Sequence, residues 1–313
     1  MAGNSNFDVI LSTTLKHYTP QLEDNIFSNI TLLYWLREAG HIEKVSGGQS
    51  LVEPLLYATN TTAGSYGGYD SLATTPQDGI TAAEYSWKQY AVTVAINGLE
   101  EAQNSSKEQI ISLIKAKIDQ AEMSALDAMN IMFYADGTGN SSKDWNGLSL
   151  LVKTDGTGTV GGIDASTETW WKNQFESTAE AISLSRMSSM FNLCSKGKIK
   201  PEFLLTTRTL YEAYEGLLQP QLRYQSSKEA DAGFENLLYK SAPVMWDEDC
   251  TSGRVYFLNS KFLKLKVHSD VWFKSTPFEK PHGQDARYSQ ILSYGNLVTN
   301  NRRFLGVLSG KTA

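Results

Sequence analysis

The stretch that decides the fold is residues 105–136, SSKEQIISLIKAKIDQAEMSALDAMNIMFYAD. Its apolar residues recur at spacings of three and four, which is typical of one face of an α-helix. The stripe consists of Ile110, Ile114, Ile118, Ala121, Ala125, Met129 and Met132, widened by Ile111, Leu126 and Phe133. Ser105 and Glu108 form a capping box before it, and Gly137 follows it. The pattern predicts one helix over about 106–136, roughly 45 Å long. A coiled coil is disfavoured because the stripe drifts as in a straight helix.

The residues before this helix indicate an arm and a long loop. Two short apolar patterns of helical spacing occupy residues 1–44, and Pro20 separates them. Residues 45–98 are poor in charge and predict two extended strands joined by a Gly- and Thr-rich loop. So long a loop is uncommon inside a compact domain. It is easier to explain if another subunit receives it.

The residues after the helix predict short alternating elements. A second S-x-x-E box, Ser177 to Glu180, predicts a helix that runs through Cys194 and stops at Gly197. A shorter helix is predicted over 211–218. Strands are predicted over 203–206, 242–246, 255–258, 262–267 and 297–308. The order of elements predicts an α+β fold.

Composition and charge exclude several classes of protein. Hydrophobic residues make up 41% of the 313 residues, which is enough for a packed core, and the net charge of −6 argues against a surface dedicated to gripping DNA. Two cysteines cannot form a disulfide framework. No apolar run approaches the roughly 20 residues that span a bilayer, so no membrane segment is expected. Residues 264–313 hold eight Lys or Arg and three Asp or Glu, which leaves two interpretations: random scatter, or faces of opposite charge.

No motif names a reaction. The run Gly156-Thr-Gly158-Thr-Val-Gly161 matches G-x-G-x-x-G but is not followed by an apolar helix, so a flexible loop is favoured over a dinucleotide site. The four histidines do not lie at metal-binding spacing. The residues left for an unrecognised enzyme site are Asp247, Glu248 and His268. No cofactor and no metal are expected.

Several segments resemble tailed-phage major capsid proteins of the Hong Kong 97 type. They are Gly147-Leu-Ser-Leu-Leu-Val152, Thr159-Val-Gly-Gly-Ile163 with Ser166-Thr167, Trp170-Trp-Lys-Asn173, Arg254-Val-Tyr-Phe-Leu-Asn259, Gly295-Asn-Leu-Val298, Asn301-Arg-Arg303 and Gly306-Val-Leu308. The order of arm, charge-poor loop, long helix and α+β body is also similar to that family. The resemblance covers nearly the whole chain.

The resemblance implies a division of the chain into parts. Residues 1–44 would be the N-terminal arm, 45–98 the E-loop, 99–150 the peripheral domain with its spine helix, 151–285 the axial domain, and 286–313 a return to the peripheral domain. Such a protein forms an icosahedral shell around double-stranded DNA, in pentamers and hexamers of itself. A separate scaffolding protein, a portal and possible decoration proteins would be its other partners, and assembly would take place in the host bacterial cytoplasm.

The resemblance and the charge-poor loop together select candidate site residues. The expected inter-subunit contacts are Leu51, Leu55, Tyr57, Tyr66, Tyr69, Tyr85 and Trp87. Arg302 and Arg303 are candidates for facing DNA or another subunit. Some family members join subunits covalently through a Lys on the E-loop, but here no Lys occurs between Lys44 and Lys88. We therefore expect a shell without cross-links.

Three other functions remain open at this stage. An encapsulin, which is a bacterial shell that holds enzymes, would share the fold. An enzyme with an unrecognised site and a minor virion protein such as a tail-tube subunit are more distant alternatives. Because the chain starts directly at the arm, scaffolding by a separate protein is expected rather than by an N-terminal segment.

Overall fold

The computed structural model describes residues 30–103, 107–218 and 237–313. In chain order the helices of these residues are α1 (Thr31–Glu38), α2 (Gly98–Gln103), α3 (Lys107–Tyr134), α4 (Leu148–Leu151), α5 (Leu184–Leu193) and α6 (Arg208–Leu218). The strands of the first half are β1 (Ile42–Val45), β2 (Leu51–Leu56), β3 (Ile80–Tyr85), β4 (Lys88–Asn97), β5 (Thr159–Val160) and β6 (Ile163–Asp164). The later strands are β7 (Gln174–Glu176), β8 (Glu180–Ala181), β9 (Phe203–Thr206), β10 (Leu237–Tyr239), β11 (Ala242–Trp246), β12 (Val255–Leu258), β13 (Leu263–His268), β14 (Lys274–Ser275), β15 (Ala286–Thr299), β16 (Gly306–Leu308) and β17 (Lys311–Thr312).

The long helix predicted from the apolar stripe is confirmed as α3, with 28 residues. The described side chains of the stripe are buried: Ile118, Ala121, Ala125, Met129, Met132 and the flanking Phe133. The helix ends before Gly137, which adopts a left-handed backbone conformation. The predicted capping box at Ser105 and the first of the two arm patterns lie outside the described residues.

The first sheet packs beside α3 and is built on β15. That strand has 14 residues, and ten of them pair antiparallel with β4. On its other edge β15 pairs with β13, which in turn pairs parallel with β1. The prediction of a strand over 297–308 was wrong in extent, because the strand starts at Ala286 and ends at Thr299. Its buried polar residues, such as Ser289, Ser293 and Asn296, hide it from a hydrophobicity pattern.

The second sheet has the order β10-β11-β9-β12-β16-β7 and divides two hydrophobic cores. Its central strands β9 and β12 are buried at every position. Leu205 and Tyr256 point into the core shared with the first sheet and α3. Leu204 and Phe257 point into a second core, covered by α5 and α6. The strands predicted over 203–206, 242–246 and 255–258 are confirmed.

The helix predicted from Ser177 to Cys194 is confirmed over Leu184–Leu193, but its predicted start was wrong. Glu180 lies in β8, which pairs with β17, and α5 begins only at Leu184. The Ser183 hydroxyl caps this helix by accepting from the backbone N–H of Arg186. Glu180 does not cap a helix because its carboxylate binds the ammonium of Lys311 at 2.9 Å.

The sheets also shift the predicted segment boundaries. Strand β13, predicted in the axial part, lies in the first sheet, whereas β16, predicted in the return to the peripheral part, lies in the second. Strand β4, predicted within the E-loop, is paired along its whole length with β15. The chain passes from one sheet to the other several times, and the apolar sequence of a strand does not predict which of the two sheets the strand joins. The separate hairpin is therefore β2 and β3 with their connection.

Candidate inter-subunit surfaces

The base of the β2–β3 hairpin packs on its own protomer. Side chains alternate along a strand, and in β2 the residues Leu51, Glu53 and Leu55 face inward and are buried. Tyr85 at the end of β3 is buried in the same core. The prediction that Leu51, Leu55 and Tyr85 contact another subunit is therefore wrong, because their surface is already covered by this chain.

Hydrogen bonds fasten the same base to the body. The Tyr85 hydroxyl donates to the Thr299 carbonyl at 2.7 Å, and burial raises the pKa of this phenol. The backbone N–H of Glu84 donates to the Gly161 carbonyl at 2.9 Å. Gly161 has a φ of 61°, and a Cβ there would lie 2.8 Å from the Cβ of Ala83. A glycine is therefore required where β3 meets the 159–164 turn.

A cluster of four charged side chains joins the hairpin to the first sheet. The carboxylate of Glu53 in β2 forms an ion pair with the ammonium of Lys266 in β13 at 2.5 Å, and both side chains are more than nine-tenths buried. Lys264 lies 2.7 Å from Glu43 of β1 and 3.6 Å from Glu53. Partial burial alone lowers the pKa of Lys264, but Glu43 and Glu53 raise it by more. The cluster sets the position of β2 against β13.

The outer face of the hairpin is apolar and exposed. Val52, Leu56 and Ile80 are exposed to 46%, 78% and 73%. These residues were not among the sequence-based candidates. The alternation of β2 could have identified them, because burial of Leu51, Glu53 and Leu55 leaves the even-numbered positions outside. An apolar face of this kind is typical of a protein interaction surface.

The connection between β2 and β3 carries further exposed apolar side chains. Tyr66, Tyr69 and Leu72 project into solvent. Tyr57 is partly exposed and stacks on Trp170, with 5.1 Å between ring centroids. Trp87 lies beyond β3 and is half-buried, where its Nε1–H donates to the Gly48 carbonyl at 2.9 Å. Of the predicted contact residues, Tyr57, Tyr66 and Tyr69 therefore lie on the surface.

The two candidate arginines have opposite environments. Arg302 is fully buried, where its Nε donates to the Leu151 carbonyl at 2.9 Å and an Nη donates to Asn173 Oδ1 at 2.8 Å. Burial lowers the pKa of its guanidinium to about 10. The prediction that Arg302 faces DNA or another subunit is therefore wrong. Arg303 is exposed and remains a candidate.

The basic excess of residues 264–313 is largely used inside the protomer. Lys264 and Lys266 pair with glutamates of β1 and β2, and Arg302 is buried. The ammonium of Lys311 is fully buried between Glu176 at 3.1 Å and Glu180 at 2.9 Å. Internal contacts of the protomer therefore occupy four of the eight basic residues in this segment.

The residues considered for catalysis are not brought together. Asp247 accepts from the Asn130 amide at 2.7 Å, and His268 packs against the ring of Trp87. Burial raises the pKa of both thiols, Cys194 and Cys250, to about 12, so neither is an activated nucleophile. Within the described ranges no cluster of His, Cys, Asp and Glu could hold a metal ion. Nor do those ranges contain a helix long and apolar enough to cross a membrane.

Comparison with known proteins identifies the fold. No protein-family model matches the chain, and no curated protein sequence matches it. Among solved structures, the capsid asymmetric unit of cyanophage A-1(L) matches with a TM-score of 0.70 and 17% identity, over 91% of this chain and 93% of that chain. The capsid of a native GTA particle matches with a TM-score of 0.59 and 10% identity, over 88% and 90%.

An encapsulin has the same arrangement. The SrpI encapsulin of Synechococcus elongatus matches with a TM-score of 0.56 and 11% identity, over 89% of this chain and 87% of that chain. Similarities at such low identity establish the fold, and all three cover most of both chains. The chain therefore has the α+β capsid fold of the Hong Kong 97 type.

Proposed function

We propose that this chain is the major capsid protein of a tailed phage, and that it self-assembles into an icosahedral shell around double-stranded DNA. The observation that carries the proposal is the fold shared with a phage capsid chain over more than nine-tenths of both molecules. The protein acts as a structural component rather than as an enzyme. Its site of action is the virion capsid, after assembly in the bacterial cytoplasm.

The exposed hairpin supports assembly from copies of the same chain. Val52, Leu56 and Ile80 on its outer face, with Tyr66 and Tyr69 beyond them, form an apolar surface that a neighbouring subunit would bury. Permanent interfaces are large and apolar, with aromatic residues enriched. A hairpin that contacts a different surface of the next copy makes a heterologous contact, which closes into rings. Pentamers and hexamers are such rings.

We further propose a division into arm, E-loop, peripheral domain and axial domain, with the first sheet and α3 as the peripheral part. A separate scaffolding protein and a portal would direct closure, and decoration proteins could bind outside. The subunits would be held by non-covalent contacts, because no Lys lies between Lys44 and Lys88. A ladder of cross-linked species from particles boiled in denaturant would contradict this.

An encapsulin is the second candidate, favoured by the similarity to SrpI. Particles isolated from the native source distinguish the two functions. After nuclease treatment, a capsid retains protected double-stranded DNA, whereas an encapsulin retains a protein cargo bound to its wall. Expression of the chain should give closed shells or rings of five and six subunits, and a monodisperse monomer at high concentration would contradict both candidates.

A further inference from the structure

The charged side chains that the fold does not use internally include a compact basic patch. It consists of Lys196, Lys198, Lys200, Lys261 and Arg303, which are all exposed. Within the described ranges, none of the five makes an ion pair with an acidic side chain. This distinguishes them from Lys264, Lys266 and Lys311, which are neutralised by glutamates.

Backbone contacts bring the members of the patch together from three segments. Lys196 and Ile199 exchange two backbone hydrogen bonds around Gly197, which forms a tight turn after α5. The Asn259 amide donates to the Lys200 carbonyl at 2.5 Å, and its Oδ1 accepts from the Lys261 N–H at 3.0 Å. Residues 196–200 and 261 are thus fixed side by side.

Arg303 belongs to the third segment of the patch and contacts the end of α5. Its guanidinium donates to the Leu193 carbonyl, three residues before Lys196, at 3.5 Å. The neighbouring Phe304 stacks on Phe262 at 4.6 Å, so the segments that carry Arg303 and Lys261 meet at these two rings. The one acid in the 196–202 turn, Glu202, is engaged by the Ser260 hydroxyl. The Ser260 hydrogen bond leaves the charge of the Glu202 carboxylate in place, so the patch presents five positive charges beside one negative charge, on a chain whose net charge is −6.

We propose that this basic patch binds the phosphate backbone of double-stranded DNA. Lysines bind phosphates as point charges, and none of the five members of the patch is an aromatic side chain that could stack on a base. The contact would therefore be independent of sequence and would weaken as salt displaces the released counterions. The proposal rests on the proposed function, because it assigns the surface that meets the packaged genome.

The test uses the full chain and a mixed-sequence DNA duplex of about 30 base pairs, with affinity measured at several salt concentrations. The triple variant K196Q/K198Q/K200Q removes three charges from exposed positions. The slope of log K against log salt should become shallower by about 2.7, which is 0.9 for each phosphate contact. Between about 50 and 200 mM salt the wild type should therefore lose about 40-fold more affinity than the variant.

Two controls make the result specific. K44Q/K143Q/K274Q removes three exposed lysines that lie apart from the patch, and it should keep the wild-type slope. K196R/K198R/K200R keeps the charge and should also keep the slope. An unchanged slope in K196Q/K198Q/K200Q overturns the proposal.

Microscopy of the same variants separates this proposal from the proposed function. If K196Q/K198Q/K200Q loses shells but binds DNA as the wild type does, the patch meets an acidic surface of another copy and the DNA assignment is wrong. If the wild type forms no shells, the proposed function fails, whereas the slope still decides whether the patch binds DNA.

Discussion

The two ends of the hairpin are built from similar residues but have opposite surroundings. At the base, Leu51, Leu55 and Tyr85 are buried in the protomer core, and Glu53 is paired with Lys266. Toward the tip, Tyr66, Tyr69 and Leu72 are exposed. The difference teaches that apolar character alone does not mark an interface. The protomer uses the base to fix the direction of the hairpin and leaves the outer face and tip exposed.

Breaking the buried ion pair should have the largest effect on the protomer. Substitution of Glu53 by Ala removes the nearer carboxylate of the buried Lys266 ammonium and leaves only Glu43 at 3.8 Å, so the free energy of unfolding should fall by about 3 kcal/mol. Urea denaturation of the unassembled chain measures this. The double variant E53L/K266M should recover most of the loss, because a buried ion pair is replaced by apolar contacts. A loss below about 1 kcal/mol in E53A would show that the pair does not hold the base.

Substitution of Arg302 by Met should come next, with a loss of about 2–3 kcal/mol. The methionine fills a similar space but cannot donate hydrogen bonds. The Leu151 carbonyl and Asn173 Oδ1 would each lose the bond that Arg302 donates to them. Arg303→Met is the matched control and should change the unfolding free energy by less than about 0.5 kcal/mol. Equal effects in the two variants would contradict the assignment of Arg302 to the core.

Removing the Tyr85 hydroxyl should cost less. Tyr85→Phe keeps the ring in the core and removes only the bond to the Thr299 carbonyl, so the expected loss is about 1–2 kcal/mol. Thermal unfolding of the unassembled chain measures it. Tyr57→Phe is the control, because its hydroxyl is exposed and its ring stacks on Trp170. If Y57F lowered the unfolding free energy as much as Y85F does, the base of the hairpin would not be held to the body more firmly than the exposed part.

The tip variant Y66S/Y69S/L72S should have the smallest effect on the protomer. These side chains are exposed, so each substitution should change the unfolding free energy by less than about 0.5 kcal/mol. Assembly should nevertheless be lost, because the same side chains are the surface that a neighbour would bury. A variant that unfolds at lower urea than the wild type would show that the tip packs on its own chain.

Much of the fold could be predicted from the sequence wherever a local pattern of residues determines a helix or a strand. The stripe of α3 predicted the helix within two residues of its C-terminal end, and β9, β11 and β12 were predicted at their observed bounds. The failures have a common cause. Glu180 is placed by Lys311 and β15 pairs with β4, in both cases more than a hundred residues away along the chain, and a local pattern carries no information on such pairings.

The candidate surface was harder to predict from the sequence, because it too depends on contacts between distant parts of the chain. The charge-poor composition of residues 45–98 selected the segment that contains the exposed hairpin, but it does not show which side of the hairpin is exposed. Glu53 is one of the few charged residues of this segment, yet it is buried against Lys266 of β13. Arg302 and Arg303 are adjacent and identical in type, and burial with hydrogen bonds to the Leu151 carbonyl and Asn173 makes Arg302 a core residue, whereas Arg303 is exposed.

The most direct test of the account is negative-stain microscopy of the wild type beside Y66S/Y69S/L72S, with both at the same concentration. The account predicts closed shells, or rings of five and six subunits, from the wild type, and folded but unassembled subunits from the variant. Shells of normal size from the variant would contradict the role of the hairpin tip. A wild type that stays monomeric at high concentration would contradict the shell itself.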